Sequence, residues 1–276
     1  MMVAAQSACS SAGSIQARNS IHVELSATKT TDASIVLVKV AAPPHATVDG
    51  DFGGIQLPFF WTGKSYESVL GVPYLYKPGP AKIVIHVNGQ ALDVPIEIVE
   101  GQYPSEKLHV NPRRVNPSKK DLKRIKREQK LVAAIYTHLT EKKYWSGPFE
   151  LPLKSVITDP FGVKRMFNGE LKSAHTGLDF RAKVGTPIYS AASGVVVLAK
   201  NLFYTGNTVM IDHGYGVITL YAHLSKLKVK KGQIVKAHQL VGLSGKTGRV
   251  NGPHLHWQAV IHKVKVNPME LTRVME

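Results

Sequence analysis

The chain has 276 residues, 43% of them hydrophobic and 20% charged, which is the composition of a globular protein with room for one large domain or two moderate ones. Thirty-five Lys and Arg against nineteen Asp and Glu leave a formal charge of +16, a bias that favours an anionic partner (a wall polymer, a membrane surface or nucleic acid) without choosing among them. No apolar run approaches the roughly 20 residues of a membrane-spanning helix, and a single cysteine, Cys9, excludes an intrachain disulfide and leaves any metal site to histidines and carboxylates.

Residues 1–20 are small and polar and read as a tail or signal-peptide remnant, because a cationic segment and a long apolar core are both missing. From 21 to 100 the pattern is β. Segments 21–25 and 35–40 are rich in β-branched residues, and 83–87 and 92–99 flank Asn88-Gly89, a strong hairpin signal. About seven short strands with turn residues between them predict a β-sandwich of immunoglobulin-like size. His22, His45 and His86 are scattered through it and form no constellation.

Pro104, Pro112 and Pro117 make 101–117 an extended linker. Ser118 reads as a helix N-cap with Asp121 three residues on, and Leu122, Ile125, Val132, Ile135 and Leu139 recur at helical spacing to about residue 141. The other face carries Lys119, Lys120, Lys123, Arg124, Lys126, Arg127 and Lys130, which suits a polyanion or equally a solvated surface. Beyond Tyr144-Trp145-Ser146-Gly147-Pro148 a second domain, 147–276, is again β-rich. Its strands are expected at 187–190, 194–199, 208–212, 217–222, 240–244 and 255–261, in a mostly antiparallel sheet with long loops.

Three clusters here can carry chemistry. His175-Thr176-Gly177-Leu178-Asp179 places a His and an Asp four apart, Tyr221-Ala222-His223-Leu224 ends an apolar strand, and Gly252-Pro253-His254-Leu255-His256 places two imidazoles on one face of a strand. Each alone has an ordinary structural explanation. Together they supply three plausible zinc ligands and two spare imidazoles, and three protein ligands with an open fourth position is the arrangement of catalytic zinc.

In this order the motifs resemble those of the M23 (LytM/lysostaphin-type) zinc metallopeptidases. Asp159-Pro160-Phe161-Gly162, Gly185-Thr186-Pro187-Ile188, Gly194-Val195-Val196, Gly206-Asn207, Asp212-His213-Gly214, Lys231-Gly232 and the 245–248 stretch add to the resemblance, which covers roughly residues 150–270. It implies that His175, Asp179 and His256 bind one Zn²⁺ per chain, that His223 and His254 form the unligated catalytic pair, and that the substrate is the peptide part of bacterial peptidoglycan. The expected architecture is mainly β: an N-terminal immunoglobulin-like sandwich, a connecting helix and a C-terminal antiparallel LytM-type peptidase sheet.

The expected activity is zinc-dependent hydrolysis of peptidoglycan cross-links, with a Gram-negative-type specificity, in the periplasm or outside the cell. The expected protein is a monomer with no nucleic-acid partner, since groove-reading motifs and interleaved aromatics are missing. The rival reading is a non-catalytic LytM-like wall-binding regulator of another hydrolase, which the full set of ligands and histidines disfavours. His213 is expected at a turn, and His238 and His262 at the surface. Arg165, Asn168 and Arg249 are candidates for the groove wall. Asn168 or the 101–117 segment is a candidate fourth zinc ligand that would keep such an enzyme latent.

Overall fold

In the computed structural model the described residues are 13–16, 21–107, 117–167 and 170–275. Cys9, Pro112, Asn168 and most of the expected N-terminal tail lie outside them. Residues 13–16, which were assigned to the tail, form a strand instead, pairing antiparallel with His22–Leu25.

The N-terminal part is two five-stranded sheets. One runs in the order Gly13–Gln16, His22–Leu25, Ile35–Ala41, Tyr66–Gly71, Phe60–Trp61; the other runs Lys29–Thr31, Gln90–Val99, Gly79–Val87, Val48–Phe52, Ile55–Pro58. Alternation drives the burial: Val94, Ile96 and Ile98 point inward from one strand, and Ile83, Ile85 and Val87 from its neighbour. Asn88 and Gly89 both take positive φ, 51° and 81°, so the turn has the twist that a two-residue hairpin requires. The sheets hold ten strands rather than about seven, because short pairs such as Phe60–Trp61 carry no periodicity of their own.

The expected linker is partly structured. Ser105–Lys107 pairs parallel with Lys164–Phe167, and the Tyr103 ring meets Phe161 edge-on at 6.3 Å between centroids. The helix is Lys119–Thr137, with the Ser118 hydroxyl accepting from Asp121 N–H at 3.1 Å. It stops at Thr137 rather than near 141, where His138 turns extended. Ile125 is buried, and Leu131, Val132, Ile135 and Tyr136 pack beside it on Leu198, Leu202, Met210 and Leu220. Leu122 and Leu139, expected on the apolar face, are each 44% exposed: Leu122 lies in the first turn, ahead of the buried Ile125, and Leu139 lies beyond the end of the helix at Thr137.

The C-terminal part is built on a sheet in the order Ile157–Asp159, Leu178–Arg181, His254–Ile261, Val217–Leu224, Gly206–Asp212, Gly194–Leu202, Ile234–Val235. Both faces of its middle are covered. On Val217–Leu224, Ile218, Leu220 and Ala222 face the helix, while Val217 and Tyr221 face the main core with Trp257 and Ile261. That is why all eight residues of the strand are buried.

The main core also takes in Ala33, Ile35, Phe60 and Val69 from the N-terminal sheets. Phe60 stacks on Tyr215 at 4.3 Å. A Cβ on Gly71 would sit 3.0 Å from Ile261 and 3.1 Å from Val266. The sandwich is packed directly against the sheet that carries the histidines.

Candidate metal centre

Adjacent strands bring the site together. Leu178–Arg181 pairs with His254–Ile261 so that Asp179 stands opposite His256, and Ala222 stands opposite His256 on the other side. The even positions of His254–Ile261 share a face, so His254 and His256 point the same way, with Gln258 and Val260 further along the strand.

By strict alternation His223 would follow Tyr221 into the opposite core. A bulge prevents that: Ala222 and His223 together stand opposite the single residue Thr208. His223 takes a φ of +62°, and its ring comes to 4.8 Å from His254 and 6.0 Å from His256 between centroids. Its N–H donates to Thr205 O at 2.8 Å, which holds this uncommon backbone conformation.

His175 Nε2, Asp179 Oδ1 and His256 Nδ1 converge. His175 Nε2 lies 3.1 Å from both partners, and His256 Nδ1 lies 2.8 Å from Asp179 Oδ1. These are the three residues that satisfy the geometry of a metal-holding group among the described residues. His175 Nδ1–H donates to Pro160 O at 2.9 Å, and since a carbonyl only accepts, the Nε2 lone pair is turned inward. A lone pair, a carboxylate oxygen and a second imidazole nitrogen thus face one point. Three ligands at about 2.0–2.1 Å from a tetrahedral ion would stand roughly 3.3 Å apart, so the set fits Zn²⁺. Gly177 belongs to the same construction, because a Cβ there would be 2.6 Å from His256 Cε1 and 2.6 Å from Trp257 O.

Burial alone would raise the Asp179 carboxyl, but the adjoining imidazoles of His175 and His256 outweigh it and hold the group well below the usual carboxylate range. Burial depresses His256. In His175 burial is opposed and exceeded by Asp179, so its pKa is raised. Burial pushes His223 down to about 4, which keeps it neutral near pH 7. Its Nδ1–H donates to Thr247 O at 2.9 Å, and His254 Nδ1–H donates to Gly252 O at 2.9 Å. In the neutral His223 ring the free lone pair is therefore on Nε2, and His254, tied the same way, turns its Nε2 toward the site. His254 Nε2 lies 3.5 Å from Asp179 Oδ2.

The other candidates separate. His213 is fully buried, donating to Ser193 O and bonded to Thr219 Oγ1. His238 is exposed. His262, expected at the surface, is 8% exposed because the hairpin after Ile261 folds it under Gly216, and among the described residues neither ring nitrogen has a hydrogen-bond partner. Arg165 binds Asp159 Oδ2 at 3.1 Å, and Arg249 lies over the Tyr204 ring at 5.9 Å.

The sequence gives no sign of the carbonyls of Pro160, Thr247 and Gly252, since every residue has one. Gln258 is a side chain that the motifs left unused. It bonds both Thr176 and Tyr136, joining the His175 loop to the helix.

The family description "Peptidase family M23" matches residues 173–268, which contain all five candidate residues. Over 96 residues the chain is 51% identical to peptidoglycan DD-endopeptidase ShyA of Vibrio cholerae, covering 35% of this chain and 22% of that protein. Over 115 residues it is 41% identical to DD-carboxypeptidase/endopeptidase Mpg of Neisseria meningitidis, covering 42% of this chain and 26% of that one. The matched segment spans about a quarter of the length of these relatives. A Pseudomonas aeruginosa crystal structure described as an M23 peptidase aligns over 88% of this chain and 94% of its own, with a TM-score of 0.62 and 28% identity. Motif order, strand register and sequence match agree that residues 173–268 form a domain of peptidase family M23.

Proposed function

We propose that the protein is a zinc-dependent endopeptidase that hydrolyses peptide bonds in bacterial cell-wall peptidoglycan, acting on cross-links in the periplasm or outside the cell. The observation that carries this reading is the convergence of His175 Nε2, Asp179 Oδ1 and His256 Nδ1 within 3.1 Å, with two further imidazoles beside them. Relatives named peptidoglycan DD-endopeptidases support the substrate class. The strongly basic surface suits an anionic wall. No helix among the described residues is long and apolar enough to cross a membrane.

In this reading His175, Asp179 and His256 hold one Zn²⁺, which supplies a Lewis acid that lowers the pKa of water and polarises a carbonyl. His223, neutral and with its Nε2 lone pair free, accepts the proton of the attacking water and passes it to the leaving amine. His254, tied the same way, turns Nε2 toward the same space from the neighbouring strand and serves as the second proton-transfer imidazole. Both rings are tied at Nδ1 by carbonyls, so neither spends the reaction searching for an orientation. Residues 147–276 form the catalytic unit, and residues 21–100 form a module joined to it as a single monomeric body.

The test is digestion of purified sacculi with the metal content measured in parallel. The proposal requires zinc near one equivalent per chain and new amine ends. Zinc uptake without new amine ends would place the protein with the non-catalytic wall-binding regulators.

A further inference from the structure

The N-terminal sandwich reaches the metal centre through a short hydrogen-bonded route. Tyr74, from the loop after Tyr66–Gly71, donates its hydroxyl to Gly162 O at 2.8 Å. Gly162 N–H donates to His175 O at 2.7 Å, and His175 N–H donates to Val163 O at 3.0 Å. Pro160 O, two residues before Gly162, accepts from His175 Nδ1–H. Segment 160–163 thus grips His175 by its backbone on both sides and by its ring, and Tyr74 grips the segment.

Tyr74 is itself held. Tyr103 meets its ring edge-on at 4.8 Å, and Phe161 meets it at 5.7 Å. Tyr103 donates to Asp32 O at 3.0 Å, while the buried Asp32 carboxylate accepts from Leu75 N–H and Gly101 N–H at 2.6 Å each. Leu75 follows Tyr74 directly, so the carboxylate fixes the turn that presents the tyrosine. Gly162 has a φ of +83°, and any Cβ on it would collide with the Tyr103 ring. The fit between sandwich and segment therefore leaves no slack at this point.

We infer that the N-terminal sandwich is a working part of the metal centre, and that Tyr74 is the positioning residue through which it sets His175. The inference rests on the reading of His175 as a zinc ligand. A hydrogen bond to a ligand's support acts on metal affinity by restricting where the ligand can sit.

The experiment compares the full chain with Tyr74→Phe and Tyr103→Phe. Each variant loses one hydroxyl from the same interface, but only the first loses a bond to the 160–163 segment. Zinc affinity is measured by competition with a chromophoric chelator, together with the visible spectrum of the Co²⁺-substituted protein and the melting temperature. Tyr74→Phe is expected to weaken zinc binding about threefold to tenfold and to shift the Co²⁺ bands, with kcat falling and KM unchanged. Tyr103→Phe is expected to keep wild-type zinc affinity and spectrum.

A purely structural interface would lower the melting temperature in both variants and move zinc affinity in neither, which overturns the inference. Equal weakening in both variants overturns it as well. A wild-type chain that takes up no zinc sinks the reading of the site, and this inference falls with it.

Discussion

Asp179 and His256 are register partners on neighbouring strands, and Asp179 Oδ1 stands 2.8 Å from His256 Nδ1. Two of the three converging donors are thus fixed by strand pairing itself, and only His175 depends on a loop. Replacing a donor should therefore abolish metal binding without unfolding the sheet. His256→Ala, His175→Ala and Asp179→Asn are each expected to lose stoichiometric zinc and to cut hydrolysis by at least about a thousandfold. Metal analysis and a sacculus assay on the same preparations check this.

His223 and His254 should behave differently. Neither belongs to the converging set, and each is oriented by a carbonyl. His223→Ala and His254→Ala are expected to keep about one zinc per chain while activity falls roughly 10²–10⁴-fold, the range for loss of a positioned proton-transfer group. Loss of zinc from either variant would move that residue into the ligand set.

Gly177 gives a test that leaves all three converging side chains in place. A methyl group there would crowd His256 Cε1 and Trp257 O, each at 2.6 Å. Gly177→Ala should displace the His256 ring and weaken zinc binding about tenfold or more, with the strands still formed. Chelator competition and circular dichroism measure the two outcomes.

Stability should fall in mild acid for reasons outside the site. Burial holds His213 and His262 each near a pKa of about 4, from 6.5. A depressed folded-state pKa means that the unfolded chain binds protons which the native chain refuses. The contribution of each histidine is therefore complete above pH 6.5 and is lost as the pH falls toward 4. Each loss amounts to about 3 kcal/mol as an order of magnitude. His262→Asn, which tolerates the left-handed φ of 45° at this position, should flatten part of that slope. Chemical denaturation of wild type and variant from pH 7.5 to 4.5 checks the difference.

The two halves should melt together. Phe60, from the sandwich, stacks on Tyr215 inside the main core. Phe60→Ala is expected to cost about 3–5 kcal/mol and to lower a single calorimetric transition. Two separated transitions would show that the core is not shared in solution.

What could be read from the sequence follows from what is local. The Asn88-Gly89 hairpin, the Ser118 cap and the strand face shared by His254 and His256 depend on neighbours within a few residues. The motif order around His175, Asp179 and His256 pointed to the family without any folding. What could not be read depends on long-range contact. The bulge that turns His223 toward His254 is a matter of register against Thr208. His262 is buried because a hairpin closes over it, and Leu122 is exposed because its turn of the helix precedes the part that meets the sheet. The bond from Tyr74 to Gly162 spans 88 positions and joins two segments that look unrelated in sequence.

The most direct test of the central claim is one paired measurement on intact sacculi: amine ends released by the zinc-loaded wild type and by His256→Ala. The account predicts release by the wild type, loss of release on chelation, recovery on adding Zn²⁺, and no release by the variant at any zinc concentration tested. Equal release by the two proteins would contradict it.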